Sequence, residues 1–120
     1  MVRVLVVEDD PDSRKLICHR LRRAGHVPEA TATGERALRL LSEGAYELIM
    51  LDVNLPGISG WEVARRVASD PKIARSSILF VSVVDRDEIP QDMVVRGWLA
   101  KPFTSSGLNH AVEEILHGTG

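Results

Sequence analysis

Short runs of β-branched and aliphatic residues alternate along this chain with amphipathic stretches of helical period, and few folds accommodate that order. Residues 2–7 form one such run, closed by Glu8, Asp9, Asp10 and Pro11, which reads as a buried strand running into a loop. Asp12 or Ser13 is placed to cap a helix in which Leu16, Ile17, Leu21 and Ala24 share one face. Arg14, Lys15, Arg20, Arg22 and Arg23 then face water, and Gly25 stops the helix. Residues 27–32 read as a short strand whose Pro28 belongs at a sheet edge, because an inner strand needs the missing N–H. Thr33 and Gly34 open a second helix with Ala37, Leu38 and Leu41 inward, ending at Gly44.

Residues 47–51 are apolar after the first, as suits a strand covered on both faces, and Asp52 follows directly. Asn54, Pro56 and Gly57 make a loop; Ser59 caps a third helix with Val63, Ala64 and Val67 inward, and Pro71 lies just beyond its end. Residues 78–84 form a fourth strand, apolar apart from Ser82. Between 85 and 97, Pro90 and Gly97 leave room for little more than two turns, so the fourth helix is expected to be short or irregular. Residues 98–100 form a brief fifth strand before Lys101 and Pro102. In the last helix Leu108, Ala111, Val112, Ile115 and Leu116 recur at helical spacing, and the tail from Gly118 is expected to fray. Five strands alternating with five helices predict an α/β fold: a parallel sheet wound on both faces through right-handed crossovers. Ligands of such sheets bind beyond the carboxyl ends of the strands.

The 120 residues suit a single domain, with one site on one fold. A net charge of −2 argues against a nucleic-acid-binding surface. No apolar run approaches the roughly 20 residues that cross a bilayer, and the start does not resemble a signal peptide. No membrane partner is therefore expected, and the location expected is cytoplasmic. Cys18, the sole cysteine, falls on the apolar side of its helix and reads as a buried, unreactive thiol. No linker, internal repeat or low-complexity stretch interrupts the pattern.

The chemistry lies at the strand ends. Glu8 and Asp9 follow the first strand, Asp52 the third, Ser82 closes the fourth, and Lys101 follows the fifth, so all five are expected at one rim of the sheet. Singly, each has a plain structural explanation as a helix cap or a solvated turn residue. Together they form three carboxylates with a cation and a hydroxyl beside them, and carboxylates so close repel unless positive charge sits among them. With oxygen ligands only, and no His or Cys at the rim, Mg²⁺ is the cation favoured.

The stretch Val4-Leu5-Val6-Val7-Glu8-Asp9-Asp10 resembles the acidic opening of response-regulator receiver domains of two-component signalling, of the chemotaxis type. Leu51-Asp52-Val53-Asn54-Leu55-Pro56-Gly57 resembles that family's phosphoacceptor loop, and Lys101-Pro102-Phe103 its lysine turn. The resemblance covers essentially the whole chain, and the spacings from Asp9 to Asp52 and from Asp52 to Ser82 agree with it. It implies a flavodoxin-like (β/α)5 fold with strand order 2-1-3-4-5. It also implies that Asp52 is the phosphoacceptor nucleophile. Asp9, Asp52 and the backbone carbonyl of Asn54 become Mg²⁺ ligands, with Glu8 acting through a bound water and Asp10 secondary. Lys101 and the Ser82 hydroxyl would receive phosphoryl oxygens. Ser82 and Trp98 would form the conformational switch, the other reading of Trp98 being that it only packs in the sheet.

The partners implied are a histidine kinase or histidine phosphotransfer protein and a downstream effector protein or domain outside this chain. Catalysis beyond self-phosphorylation and autodephosphorylation is not expected. Departures lie between Ser82 and Lys101, where the chain is shorter than most receivers by about one helical turn, and at Val83 and Val84, which put apolar side chains beside the rim. The shortened part belongs to the surface that receivers commonly use for output and dimerisation. It motivates one rival, a receiver-fold interaction module that works without phosphorylation. A second rival, a Mg²⁺-dependent aspartate-nucleophile phosphatase, lacks the second acid normally found two residues after the nucleophile, where Asn54 stands.

Overall fold

A computed structural model describes residues 1–118. Five parallel strands, β1 (Arg3–Val7), β2 (Val27–Thr31), β3 (Leu48–Leu51), β4 (Ser77–Ser82) and β5 (Gly97–Ala100), form one sheet in the order β2-β1-β3-β4-β5. Four α-helices are present among the described residues: α1 (Pro11–Arg23), α2 (Gly34–Glu43), α3 (Gly60–Ser69) and α4 (Ser105–His117). The strand alternation sorts the core into two layers. Val4 and Val6 of β1 meet Ile17, Cys18 and Leu21 of α1 and Leu108 and Val112 of α4 on one face. Leu5 and Val7 meet Ala37 and Leu41 of α2 and Val63 and Val67 of α3 on the other. Every residue of β3 is buried, as its two neighbouring strands and two helical layers require.

Pro28 lies on the edge strand β2. The Val27 N–H donates inward to the Val2 carbonyl at 2.9 Å, so by the strand's period of two the following amide position faces outward, where proline has no hydrogen to offer. Cys18 is buried, as expected.

The structure corrects three local expectations, all in α1. The N-cap of α1 is Asp10, whose side chain accepts the Ser13 N–H at 3.0 Å. Pro11 takes the first helical position, which suits a residue without an N–H, and the helix therefore begins earlier than a cap at Asp12 or Ser13 allows. Its buried stripe is Ile17, Cys18 and Leu21, whereas Leu16 is 43% exposed and Ala24 is also exposed. Counting back three and four residues from Ile17 and Cys18 brings Arg14 onto the inner face, not into water. The short or irregular helix foreseen between β4 and β5 is, as expected, no more than a 3-10 turn, Arg86–Glu88, within irregular chain. Pro90 forces extended backbone on Ile89 (φ −64°, ψ 125°), which ends the turn before an α-helix can form. At the other end of the chain Gly118 is a left-handed cap of α4 (φ 47°) whose N–H donates to the Glu114 carbonyl. The rest of the tail expected to fray, residues 119 and 120, lies outside the described residues.

Candidate functional site

Strand order explains how distant residues meet. β1 and β3 are neighbours in register, Val7 opposite Leu51, so Glu8 and Asp52 leave the sheet side by side. The Asp52 N–H donates to the Val7 carbonyl and the Glu8 N–H to the Thr31 carbonyl, each at 3.0 Å, which holds both backbones level at the carboxyl rim. Glu8, Asp9 and Asp52 each present a carboxylate oxygen within 4.8 Å of the others'. Glu8 (2% exposed) and Asp52 (7%) are buried, while Asp9 opens to solvent. Lys101 follows β5 and reaches across: its Nζ donates to Glu8 Oε1 and, at 3.1 Å, to Asp52 Oδ2. The remaining oxygens are also served, Glu8 Oε2 by the Asp10 N–H at 3.3 Å and Asp52 Oδ1 by the Asn54 N–H at 3.1 Å.

One ammonium among three carboxylates leaves surplus negative charge. Two like charges 4.8 Å apart repel by about 3 kcal/mol at the effective dielectric of a partly buried site. The strain is visible in Glu8, whose carboxyl is pushed up to about 7, first by burial and then by neighbouring Asp52, against the opposing hydrogen bond from Lys101. Burial works against the Lys101 charge, but its hydrogen bonds to Glu8 and Asp52 outweigh that and raise its pKa. This is an all-oxygen donor set short of positive charge, and it fits a hard divalent cation such as Mg²⁺.

Ser82 ends β4 opposite Ala100 and is fully buried. Its Oγ accepts the Val84 N–H at 3.0 Å, and its carbonyl accepts the Lys101 N–H at 3.0 Å, so it borders the lysine through backbone and does not bond Asp52. Trp98 lies further along β5, with its ring 6.0 Å from Phe80 and 6.2 Å from Trp61 between centroids, the two indoles stacked at 21°. Val83 is 71% exposed beside the rim.

Two residues not singled out by the sequence belong to the frame of the site. Arg14 Nη1 donates to the Glu8 and Asp9 carbonyls at 3.0 and 3.3 Å, fastening the acidic loop from below. Its spacing from Ile17 and Cys18 was the available signal. Glu35 of α2 accepts the Ile58 N–H at 3.2 Å and so ties the loop after Asp52 to a second helix. No local pattern marks that pairing. Gly60 allows the same loop to pass closely: a Cβ there would sit 2.2 Å from the Asp52 carbonyl oxygen.

A family profile described as "Response regulator receiver domain" matches residues 4–113. The chain belongs to the response regulator receiver domain family. Among curated proteins, chemotaxis protein CheY of Pseudomonas aeruginosa is 31% identical over 119 residues, covering 96% of each chain. Transcriptional regulatory protein TcrA of Mycobacterium tuberculosis is 42% identical over 66 residues, 55% of this receiver but only 26% of that longer protein. Among solved structures, the chemotaxis response regulator CheY4 of Vibrio cholerae superimposes with a TM-score of 0.89 at 29% identity, covering 97% of this receiver and 99% of that chain. Response regulator TrrA of Thermotoga maritima, in complex with Mg(2+)-BeF, gives 0.86 at 30% identity over 97% and 100%. The expected flavodoxin-like architecture and strand order are thus shared by this receiver and its relatives. No helix among the described residues is long and apolar enough to cross a membrane.

Proposed function

We propose that this receiver accepts a phosphoryl group on Asp52 in a Mg²⁺-dependent reaction and changes conformation to control an output partner. The observation that carries the reading is the arrangement around Asp52: a buried carboxylate with one oxygen on the Lys101 ammonium and two further acids within 4.8 Å. Phosphoryl transfer needs little covalent machinery from a protein and much charge compensation and positioning. Asp52 Oδ2 is the oxygen aimed at Lys101 and is the one assigned to attack phosphorus; the P–N bond to the donor's histidine breaks as the new P–O bond forms. Lys101, already within reach, moves from the carboxylates to a phosphoryl oxygen. Glu8, Asp9, Asp52 and the backbone carbonyl of Asn54 would hold the Mg²⁺, Glu8 through a bound water. When bound, the ion offsets the charge of the incoming phosphoryl oxygens.

The Ser82 hydroxyl would exchange its present bond with the Val84 N–H for one to a phosphoryl oxygen. The movement of β4 that follows would release Trp98 from its contact with Phe80 and Trp61, shifting population toward a second state. The donor is a histidine kinase or histidine phosphotransfer protein in the cytoplasm, and the output a separate protein or a domain outside this chain. Residues 1–120 act as one receiver domain, with no turnover beyond its own phosphorylation and dephosphorylation.

Intact-mass measurement after incubation with acetyl phosphate and Mg²⁺ tests the reading. A single phosphoryl adduct is expected on the wild type and none on Asp52→Asn. Persistence of a Mg²⁺-dependent adduct in Asp52→Asn overturns the site assignment, and absence of any adduct favours an interaction module that works without phosphorylation.

A further inference from the structure

Parallel neighbours in a sheet are ordinarily joined by a helix that packs back over them. Between β4 and β5 this protein has only a three-residue 3-10 turn and extended chain. Irregular chain takes the helix's place there, with Val84, Met93 and Val95 packed on the same layer as α2 and α3, and a groove of about 530 Å³ opens between α3 and residues 92–96. Val67 of α3 and Phe80 of β4 line its base but are themselves buried, and the apolar surface it offers comes from Ala68 of α3, Ile78 of β4, Met93 and Val94. Its rim is basic, carrying Arg65, Arg75 and Arg96.

The rim shows how a carboxylate is received there. Arg65 grips Asp92 in a two-pronged contact, Nε to Oδ2 at 2.9 Å and Nη2 to Oδ1 at 3.2 Å. Arg75 and Arg96 form no ion pair among the described residues. Both are exposed, and beside them Val94 presents an apolar side chain at 85% exposure. An apolar trough where a crossover helix would lie, flanked by two unpaired guanidiniums, matches one kind of occupant better than others: a helix with an apolar stripe and carboxylates on its borders.

We propose that the groove between α3 and residues 92–96 docks an acidic amphipathic helix of a partner protein, with the apolar stripe on Ala68, Ile78, Met93 and Val94 and its carboxylates on Arg75 and Arg96. The inference does not rest on the phosphoacceptor assignment, since the groove shares no residue with the acidic cluster.

The test uses the whole ¹⁵N-labelled chain and two synthetic 16-residue helical peptides. Both carry leucine at positions i, i+3, i+4 and i+7; one has glutamate on the flanks, the other lysine. Amide shifts are expected to move at Arg65, Ala68, Ser77, Met93 and Arg96, with the Trp98 indole following through its contact with Phe80. The glutamate peptide should bind at least tenfold more tightly than the lysine peptide, and more weakly as salt rises. Arg75→Glu combined with Arg96→Glu should lose at least tenfold in affinity while the amide spectrum away from the groove stays unchanged, which reports an intact fold. Arg75→Gln with Arg96→Gln should fall between, and serves if the charge reversal disturbs folding. Absence of binding by the glutamate peptide at millimolar concentration, equal binding of the two peptides, shifts centred on another face such as the arginines of α1, or unaltered affinity in the variants overturns the proposal.

Discussion

Replacing Glu8 by glutamine separates what the acidic cluster costs the fold from what it provides to the ligand. The Glu8 carboxyl titrates near 7 in the folded, metal-free protein and at its ordinary 4.5 once unfolded. Between those pH values the unfolded chain binds fewer protons than the folded one, so stability falls as pH rises through this window and stays lowered above it. Each pH unit of that gap carries about 1.4 kcal/mol, so a fully ionised Glu8 costs the empty fold about 3 kcal/mol at order-of-magnitude precision. Glutamine fills the same volume without a charge to desolvate. In EDTA, urea unfolding of Glu8→Gln should show the variant gaining about 2 to 3 kcal/mol on the wild type between about pH 5 and about pH 8. Mg²⁺ should close most of that gap, because an ion at a hundredfold over its Kd adds about 2.7 kcal/mol to the protein that binds it and the variant, with one carboxylate fewer, gains less. Parallel pH profiles for the two proteins in EDTA, or equal Mg²⁺ affinity, would refute the reasoning.

Gly60→Ala should destabilise the protein by about 2 kcal/mol or more, as overpacking against immovable backbone does, and should slow phosphoryl adduct formation although Asp52 itself is intact. Its Cβ would lie 2.2 Å from the Asp52 carbonyl oxygen, and thermal melts with mass spectrometry check both effects. Leu21→Ala, at a fully buried position between α1 and the sheet, should cost about 3 kcal/mol in chemical unfolding and leave the site chemistry untouched. Trp98→Phe should remove most of the tryptophan fluorescence change produced by beryllofluoride and Mg²⁺; an unchanged signal would mean that Trp98 packs without switching.

The sequence makes the fold legible wherever one local rule acts alone. Thr33 and Ser59 both cap the helices assigned to them, with side chains accepting the Arg36 and Glu62 N–H groups. The all-apolar residues of β3 declare a central strand. Legibility fails where rules compete. Asp10, Asp12 and Ser13 are all good caps, and the choice falls to Pro11, which suits the first position of a helix better than the third. The inner face is equally contested: the stripe through Ile17, Cys18 and Leu21 leaves Leu16 exposed and turns Arg14 toward the acidic loop. At the site, the strand ends announce Glu8, Asp9, Asp52 and Lys101 because all four lie at the same rim. The tie from Glu35 to Ile58 depends on how α2 packs beside the loop, and only three dimensions reveal it.

Pro28 has a consequence for assembly. On the outer side of β2 an approaching strand would meet a missing donor at the second residue and lose a rung of any ladder it tried to build. The sheet is thus polarised as a template: the β2 margin is the poorer one for extension, and a strand-to-strand polymer of this receiver is favoured to start from β5.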